Sequence, residues 1–516
     1  MDTQTLNLLQ QTAQFFKSQR LQAYLVGGSL RNLLLEVDCS DWDIVTAGDA
    51  PSLARRLADT LGGYYVYLHD KVSRVVVPIT EPGEQKRDSI FDIAPLKGHT
   101  LEEDLRLRDF TINAMAAPLD DVVRYLKTGQ ALHPIDPLHG LADLKARRLK
   151  AVDSDVFRHD PLRMLRAVRL MALYQLSIDS GTQGLLMRDA ALLQHVAPER
   201  IHDELYAILE RPGAIEHLHF LDDHGLLTVL IPEFIPARGM PQPQPHYWDV
   251  LEHSLQTVDK LELLVTLLQR PSAEPGQSPP ESSSLAGNLR EIQQLLYEAE
   301  EQGIFQLALL AAPRMKLAAL LHDIGKPATF TTDEEGHIHF YGHPQAGVPL
   351  ALQVMRRLSA STQDRRLMQQ VTAHHMRPGQ LGQTGIVTPR AIRRYFVDLG
   401  PTGIAVALFS LADHLATRGP LLAHQLNSTD DKAMLHSWEQ HVAVVSLLLT
   451  SYIRQRESIL PPRLLSAEDV MRRFDLKPGP RVGQLLEAIA EAQADGSIRS
   501  KEEALWFTEE RLQHME

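Results

Sequence analysis

The chain has 516 residues, 52 Lys and Arg against 65 Asp and Glu, and a formal net charge of −13, which excludes a uniformly basic nucleic-acid binder. Its 44% hydrophobic and 6% aromatic content suits a helix-rich chain of about three to four domains at ~150 residues each. The single cysteine, Cys39, excludes an internal disulfide and points to a reducing cytoplasm, and neither a leader nor a membrane-spanning run is expected, so no membrane partner is.

From Leu21 to Pro118, strand-like runs such as Val75 to Ile79 alternate with helix-like ones such as Ser52 to Leu61, which predicts a mixed α/β head. The apolar run Tyr24-Leu25-Val26 reads as a strand or a helix end. It meets Gly27-Gly28-Ser29-Leu30-Arg31, and a short loop leads to Asp41-Trp42-Asp43-Ile44-Val45. Ile44 and Val45 continue a strand, so Asp41 and Asp43 point to one face. Two crowded carboxylates repel unless a divalent cation sits between them. Mg²⁺ prefers oxygen ligands and substrate phosphates, and two such ions clamp the attacking and leaving oxygens of an in-line displacement. Gly27 and Gly28 allow backbone N–H groups to approach a triphosphate, and Arg31 can neutralise it. Asp-x-Asp alone is common on solvated loops, and Gly-Gly alone marks turns. In this order they point to nucleotidyl transfer. Asp92, in Phe91-Asp92-Ile93-Ala94, ends a neighbouring strand-like run and is a candidate third carboxylate; the plain alternative is a turn residue.

Leu101 to Met115 reads as a capped amphipathic element with a charged face. In Phe157 to Leu170, Arg163, Arg166 and Arg169 are three apart and line one face of a helix. Asp160 is expected to cap its start, with Pro161 in the first turn. The face is either ordinary solvated arginines or a holder of phosphate and a base. Helical periodicity continues to Leu230. Residues 231–245 are proline-rich and read as a boundary, and residues 271–287, rich in Pro, Ser and Gly, read as a disordered insertion. The predicted class is α+β: a head with a small mixed sheet over 1–150, then helical domains over 151–235, 236–430 and 431–516.

These blocks resemble the class II tRNA nucleotidyltransferase and bacterial poly(A) polymerase family. The family pattern Gly-Gly-x-x-Arg-Asp with Asp-x-Asp stands here as Gly27 to Asn32 with Asp41 and Asp43. Arg-Arg-Asp-Phe-Thr-x-Asn-Ala stands as Leu107 to Ala114, Asp-Pro-x-x-Gly-x-x-Asp-Leu as Asp136 to Leu144, and Glu-Asp-x-x-Arg as His159 to Arg163; Glu199 to Leu205 looks like the helix motif that follows. Asn32, Leu107 and His159 depart from the pattern. The resemblance implies Mg²⁺ at Asp41 and Asp43, transfer from CTP and ATP to the tRNA 3′ end without a nucleic-acid template, and a nucleotide site that includes Ser29, Arg108, Asp109 and Asn113. Asp160 and Arg163 are implied to read the base: a carboxylate accepts from the exocyclic amino group that both cytosine and adenine carry, and a guanidinium donates to the ring nitrogen. RNA affinity is expected from local patches at 145–150 and 158–169. The stretch between Asp92 and Glu102 is short for a member that completes CCA, so CC-only or A-only addition stands beside full addition. Poly(A) synthesis is less expected, for want of a long basic C-terminal extension.

The second half carries His253, then Leu321-His322-Asp323-Ile324-Gly325-Lys326, Gly342-His343, His374-His375 and Asp413. One histidine on an apolar helix is usually a core residue; the ordered series is more specific. It resembles the HD superfamily of metal-dependent phosphohydrolases. The resemblance implies a first metal site at His253, His322, Asp323 and Asp413 and candidates for a second at His343, His374 and His375. Imidazole and carboxylate donors suit Mn²⁺, Ni²⁺, Co²⁺ or Mg²⁺ activating a water. Lys326 reads either as a phosphate contact or as a cation at a helix C-terminus.

Overall fold

A computed structural model describes residues 3–69, 72–79, 87–269, 287–383, 386–418, 429–494 and 496–513. The insertion expected at 271–287 falls, apart from its last residue, outside them. The chain packs as two compact units: Met1–Val196 with Asp223–Val229, and Ala197–Asp222 with Leu230–Glu516.

The first unit holds a six-stranded sheet. Its strands are β1 (Ala23–Val26), β2 (Asp41–Thr46), β3 (Tyr64–His69), β4 (Val72–Ile79), β5 (Arg87–Pro95) and β6 (Ala116–Pro118), in the order β3-β4-β5-β2-β1-β6. β2 and β5 run parallel and the other pairs antiparallel. Register decides which residues share a face. Trp42 pairs with Phe91 and Phe91 with Val75, and all three are fully buried. Each of the two aromatic side chains contributes about 2–3 kcal/mol through its burial. One residue along, on the opposite face, Asp43 pairs with Asp92 and Asp92 with Arg74. Asp92 is therefore mid-strand rather than at the strand end expected for it. Helix Ala50–Leu61 packs on β4 through Leu53, Ala54, Leu57 and Ala58 and stops at Gly62, whose left-handed φ of 68° favours glycine.

The glycines after β1 open a helix, Gly27–Leu34, rather than a loose turn. The helix expected from Asp160 starts later, at Arg163, and runs to Tyr174. Asp160 is extended, with its carboxylate 3.3 Å from the Leu162 N–H, and it flanks the C-terminal end of the preceding short helix Val156–His159, while Leu162 stands at the start of this one. Arg163, Arg166 and Arg169 are all half-buried on one face, at the predicted spacing.

Among its described residues the second unit is helical but for a hairpin of Thr331–Thr332 with Ile338–His339. Helix Thr402–Thr417 is apolar nearly all round and runs through its core, packed on Val250–Gln269. Among the described residues no single helix is long and apolar enough to cross a membrane. The C-terminal helices Ala467–Phe474, Pro480–Ala494 and Lys501–Gln513 share a smaller core around Val470, Leu485 and Ile489.

Candidate active site and metal centre

In the first unit a cleft of about 330 Å³ lies over the carboxylate row. Asp43 and Asp92 line it from the sheet, Gly27 and Gly28 from the helix start, and Arg108, Asp109 and Asn113 from the segment after helix Leu101–Arg106. Gly27 holds a left-handed φ of 65°, which favours glycine, and a Cβ there would stand 2.9 Å from the mobile end of Arg108. Asp43 accepts from the Ser29 hydroxyl at 2.9 Å, and its own N–H donates back to that oxygen at 2.7 Å. Burial and the nearby Asp92 charge raise the Asp43 carboxyl above its ordinary value, against the Ser29 bond and the Arg108 charge. A site that raises a carboxylate this way is poised for a cation. Asp41, two residues along the same face, is exposed.

Arg31 does not line the cleft. It is buried, donating to Asn113 Oδ1 at 2.5 Å, Asn32 Oδ1 at 2.9 Å and the Tyr174 hydroxyl at 2.8 Å, with its guanidinium 4.4 Å from the centre of the Tyr174 ring. Its phosphate contact is thus replaced by a hold on Asn113. The amide oxygen of Asn32 still accepts from Arg31, so this departure from the family pattern keeps the link. Asn113 in turn donates to Asp109 at 2.9 Å, and Arg166 lies 3.4 Å from the same carboxylate. Burial would raise Asp109, but the Arg166 charge and the N–H donors of Asn113 and Phe110 outweigh it and hold the carboxyl below its ordinary value. Arg163 reaches the cleft with its guanidinium on the carbonyls of Leu107 and Arg108, at 3.0 and 3.2 Å. Asp160 and Arg169 do not line it. Leu107, 48% exposed, places an aliphatic wall where the family pattern has arginine.

In the second unit five segments converge. Helix Val250–Gln269 brings His253, the end of Pro313–Leu321 brings His322 and Asp323, the start of His343–Arg357 brings His343, the end of Thr362–His374 brings His375, and Thr402–Thr417 brings Asp413. Their donor atoms fall into three overlapping groups: His253, His322 and Asp323; His322, His375 and Asp413; and Asp323, His343 and His375. His253 Nε2 lies 3.0 Å from Asp413, His322 Nε2 3.1 Å from Asp323 and His343 Nε2 3.2 Å from Asp323. A Cβ on Gly325 would come within 2.2 Å of the His343 carbonyl, so glycine is what lets the two segments meet.

The donor chemistry fits divalent metal. The Nδ1 atoms of His322, His343 and His375 sit on the carbonyls of Ala319, Phe340 and Thr372 at 2.8–3.0 Å, which leaves each Nε2 as the ligand atom. His253 Nε2, His322 Nε2 and Asp323 Oδ1 are buried with imidazole or carboxylate atoms 3.0–3.5 Å away, but none of those neighbours is aligned as a hydrogen bond to them. Buried polar atoms are seldom left so unless something else takes them. Burial alone would raise Asp323 and lower His322. Their mutual attraction outweighs it, with Lys326 and Asp413 assisting, so Asp323 falls well below the carboxylate range and His322 rises to about 10. His374 belongs to none of the groups; it is half-buried, near the charges of Arg377 and Asp398, whereas its neighbour His375 is buried in the cluster. Lys326 is buried with its ammonium on Asp323 at 2.5 Å and Gln242 at 2.6 Å. His246 was missed by sequence reasoning; its ring packs 5.3 Å from that of His253, and a histidine in a proline-rich loop carries no spacing signal.

A family model described as Poly A polymerase head domain matches residues 23–150, one described as "Probable RNA and SrmB- binding site of polymerase A" matches 175–238, and one described as HD domain matches 299–418. An A-adding tRNA nucleotidyltransferase of Deinococcus radiodurans is 32% identical over 494 residues, 94% of this chain and 95% of that one. A CC-adding tRNA nucleotidyltransferase of Thermus thermophilus is 31% identical over 497 residues, 94% of this chain and 92% of that one. A solved CCA-adding enzyme in complex with CTP has the same fold, with a TM-score of 0.57, 20% identity and coverage of 100% of this chain and 96% of that one. The chain belongs to the tRNA nucleotidyltransferase family, with a poly(A) polymerase-type head and an HD domain.

Proposed function

We propose that the first unit transfers C, A or both from CTP and ATP to the 3′ end of tRNA, and that it does so in the cytoplasm. The observation that carries the reading is the register of β2 on β5, which sets Asp43 beside Asp92 under a cleft closed by Gly27, Gly28 and Arg108. Asp41 and Asp43 are the Mg²⁺ ligands. Bound Mg²⁺ supplies Lewis acidity at the α-phosphate. Asp92 takes up the proton of the tRNA 3′-hydroxyl. The backbone at Gly27 and Gly28 and the Arg108 guanidinium hold phosphates. Asp109 and Asn113 fix the floor of the cleft, Arg31 acts by fixing Asn113, and Arg163 and Arg166 face the nucleotide. Arg169 takes part through the helix it shares with the other two arginines, and Asp160 through the turn that leads into that helix. The test is incubation with tRNAs lacking all of CCA, lacking only the final A, or complete, each with single nucleotides. Incorporation of C alone, A alone or both assigns the specificity; no incorporation on any substrate removes the reading.

The orphaned ligand atoms of the second unit favour a second activity, hydrolysis of phosphate esters at RNA ends with a transition metal or Mg²⁺ on His253, His322, Asp323, His343, His375 and Asp413. Release of phosphate from 2′-phosphate or 2′,3′-cyclic phosphate ends, lost in His322→Ala, tests it.

A further inference from the structure

β4 carries one basic residue on the open face of the sheet. Arg74 stands directly across from Asp92, and Asp92 directly across from Asp43. Paired residues of neighbouring strands project to the same side, so the three form one row. The contact between the first two is a fork: Arg74 Nε donates to Asp92 Oδ1 at 2.8 Å and Nη2 donates to Oδ2 at 2.9 Å. Two parallel charge-assisted bonds fix the plane of a carboxylate, which one ammonium cannot do. Each oxygen of an ionised carboxylate has about two acceptor sites, so the fork leaves one free on each. Asp92 lines the cleft and Arg74 does not. The guanidinium thus stands on the far side of Asp92 from Asp43.

We propose that Arg74 is a positioning residue of the transferase centre. It holds the Asp92 carboxylate in one plane, with its free acceptor sites toward Asp43 and the cleft. The inference rests on the reading of Asp92 as the group that receives the 3′-hydroxyl proton. Arg74 touches neither nucleotide nor metal. Its standing positive charge also offsets the repulsion among Asp41, Asp43 and Asp92, since all three carboxylates favour its charged form.

Single-nucleotide incorporation by the full chain separates this role from a plain surface ion pair. Arg74→Ala should lower kcat by about 10- to 100-fold, the usual loss when the partner that orients an active group is removed, with the nucleotide KM changed by less than about threefold. Arg74→Lys, which keeps the charge but not the fork, should recover only part of kcat. In an Asp92→Asn background Arg74→Ala should cause no further loss, because residues that act through one another are not additive. An unchanged kcat in a folded Arg74→Ala variant, or full additivity with Asp92→Asn, overturns the proposal. Failure of the wild-type protein to incorporate any nucleotide overturns the reading of the head and this inference with it. Normal wild-type incorporation, lost in Asp43→Ala but unaffected in Arg74→Ala, overturns this inference alone.

Discussion

His343 and His375 face each other Nε2 to Nε2 at 3.3 Å, and the Nδ1 of each is already on a backbone carbonyl. With both Nδ1 atoms protonated for those bonds, both Nε2 atoms carry lone pairs, and lone pairs at this distance repel unless a proton or a cation lies between them. The expected outcome is metal-dependent stability of the second unit. Metal-stripped protein should unfold at a higher temperature once Mn²⁺, Ni²⁺ or Co²⁺ is added. At a hundredfold excess over Kd the gain is about 2.7 kcal/mol. His375→Ala should remove most of it, while His374→Ala should not. Identical melting with and without metal in the wild-type protein would show that the cluster holds no ion.

That contrast marks where sequence reading stops. His374 and His375 are adjacent, and one step along a helix turns a side chain by about 100°, so only one of them enters the cluster. Spacing alone could not choose between them. The Asp41–Asp43 pair was legible because strand alternation acts within one segment. Asp92 was legible as a candidate, but its place beside Asp43 depends on a parallel register that no local signal encodes. Arg74 and Tyr174 carried no signal at all. Arg74 meets its partner 18 residues on, and Tyr174 meets Arg31 at 143 residues' separation. Arg31 was expected on phosphate, but its neighbour Asn32 and two acceptors brought to its helix only by folding, Asn113 and Tyr174, draw it inward.

Asp43 sits where the cation reading is most exposed to test. Asp43→Asn keeps the shape and an acceptor for the Ser29 hydroxyl while removing the charge. Nucleotide incorporation should fall by about 10³-fold or more, since the electrostatic anchor of a displacement at phosphorus is lost. The thermal unfolding of the first unit should hold or rise slightly, because burial already works against that charge. Phosphate release by the second unit should be unaffected. Incorporation within about tenfold of wild type would place the metal elsewhere.

Tyr174 links the end of the helix Arg163–Tyr174 to the Gly27–Leu34 helix by accepting from Arg31 at 2.8 Å and donating to Asn32 Oδ1 at 2.7 Å. Tyr174→Phe removes both bonds and leaves the ring under the guanidinium. The loss should be about 1–2 kcal/mol of stability, as one acceptor of a buried cation goes. Because Arg31 fixes Asn113 and Asn113 fixes Asp109, the nucleotide KM should rise more than kcat falls. Denaturant unfolding and steady-state kinetics check the two parts. An unaltered KM would separate the Arg31 network from nucleotide binding.

His441 gives the second unit a sensitivity to acid. Its ring stacks on His414 at 5.0 Å between centroids, with Nε2 2.9 Å from the Ser410 hydroxyl. Burial pushes His441 down from 6.5 to about 4. The unfolded chain therefore takes up a proton near pH 6.5 that the folded chain refuses until about pH 4. Stability is unaffected by this group above the upper value, falls as pH drops through the window and levels off below the lower one. The loss across the window is roughly 3 kcal/mol at most. His441→Gln keeps a hydrogen-bonding side chain and cannot titrate. Denaturant unfolding measured from pH 8 to pH 4 should show a shallower decline for the variant, so that it gains stability relative to wild type as pH falls through the window. Parallel declines would mean that the ring is protonated as readily in the folded protein as in the unfolded chain, and that its burial beside His414 does not exclude the charge.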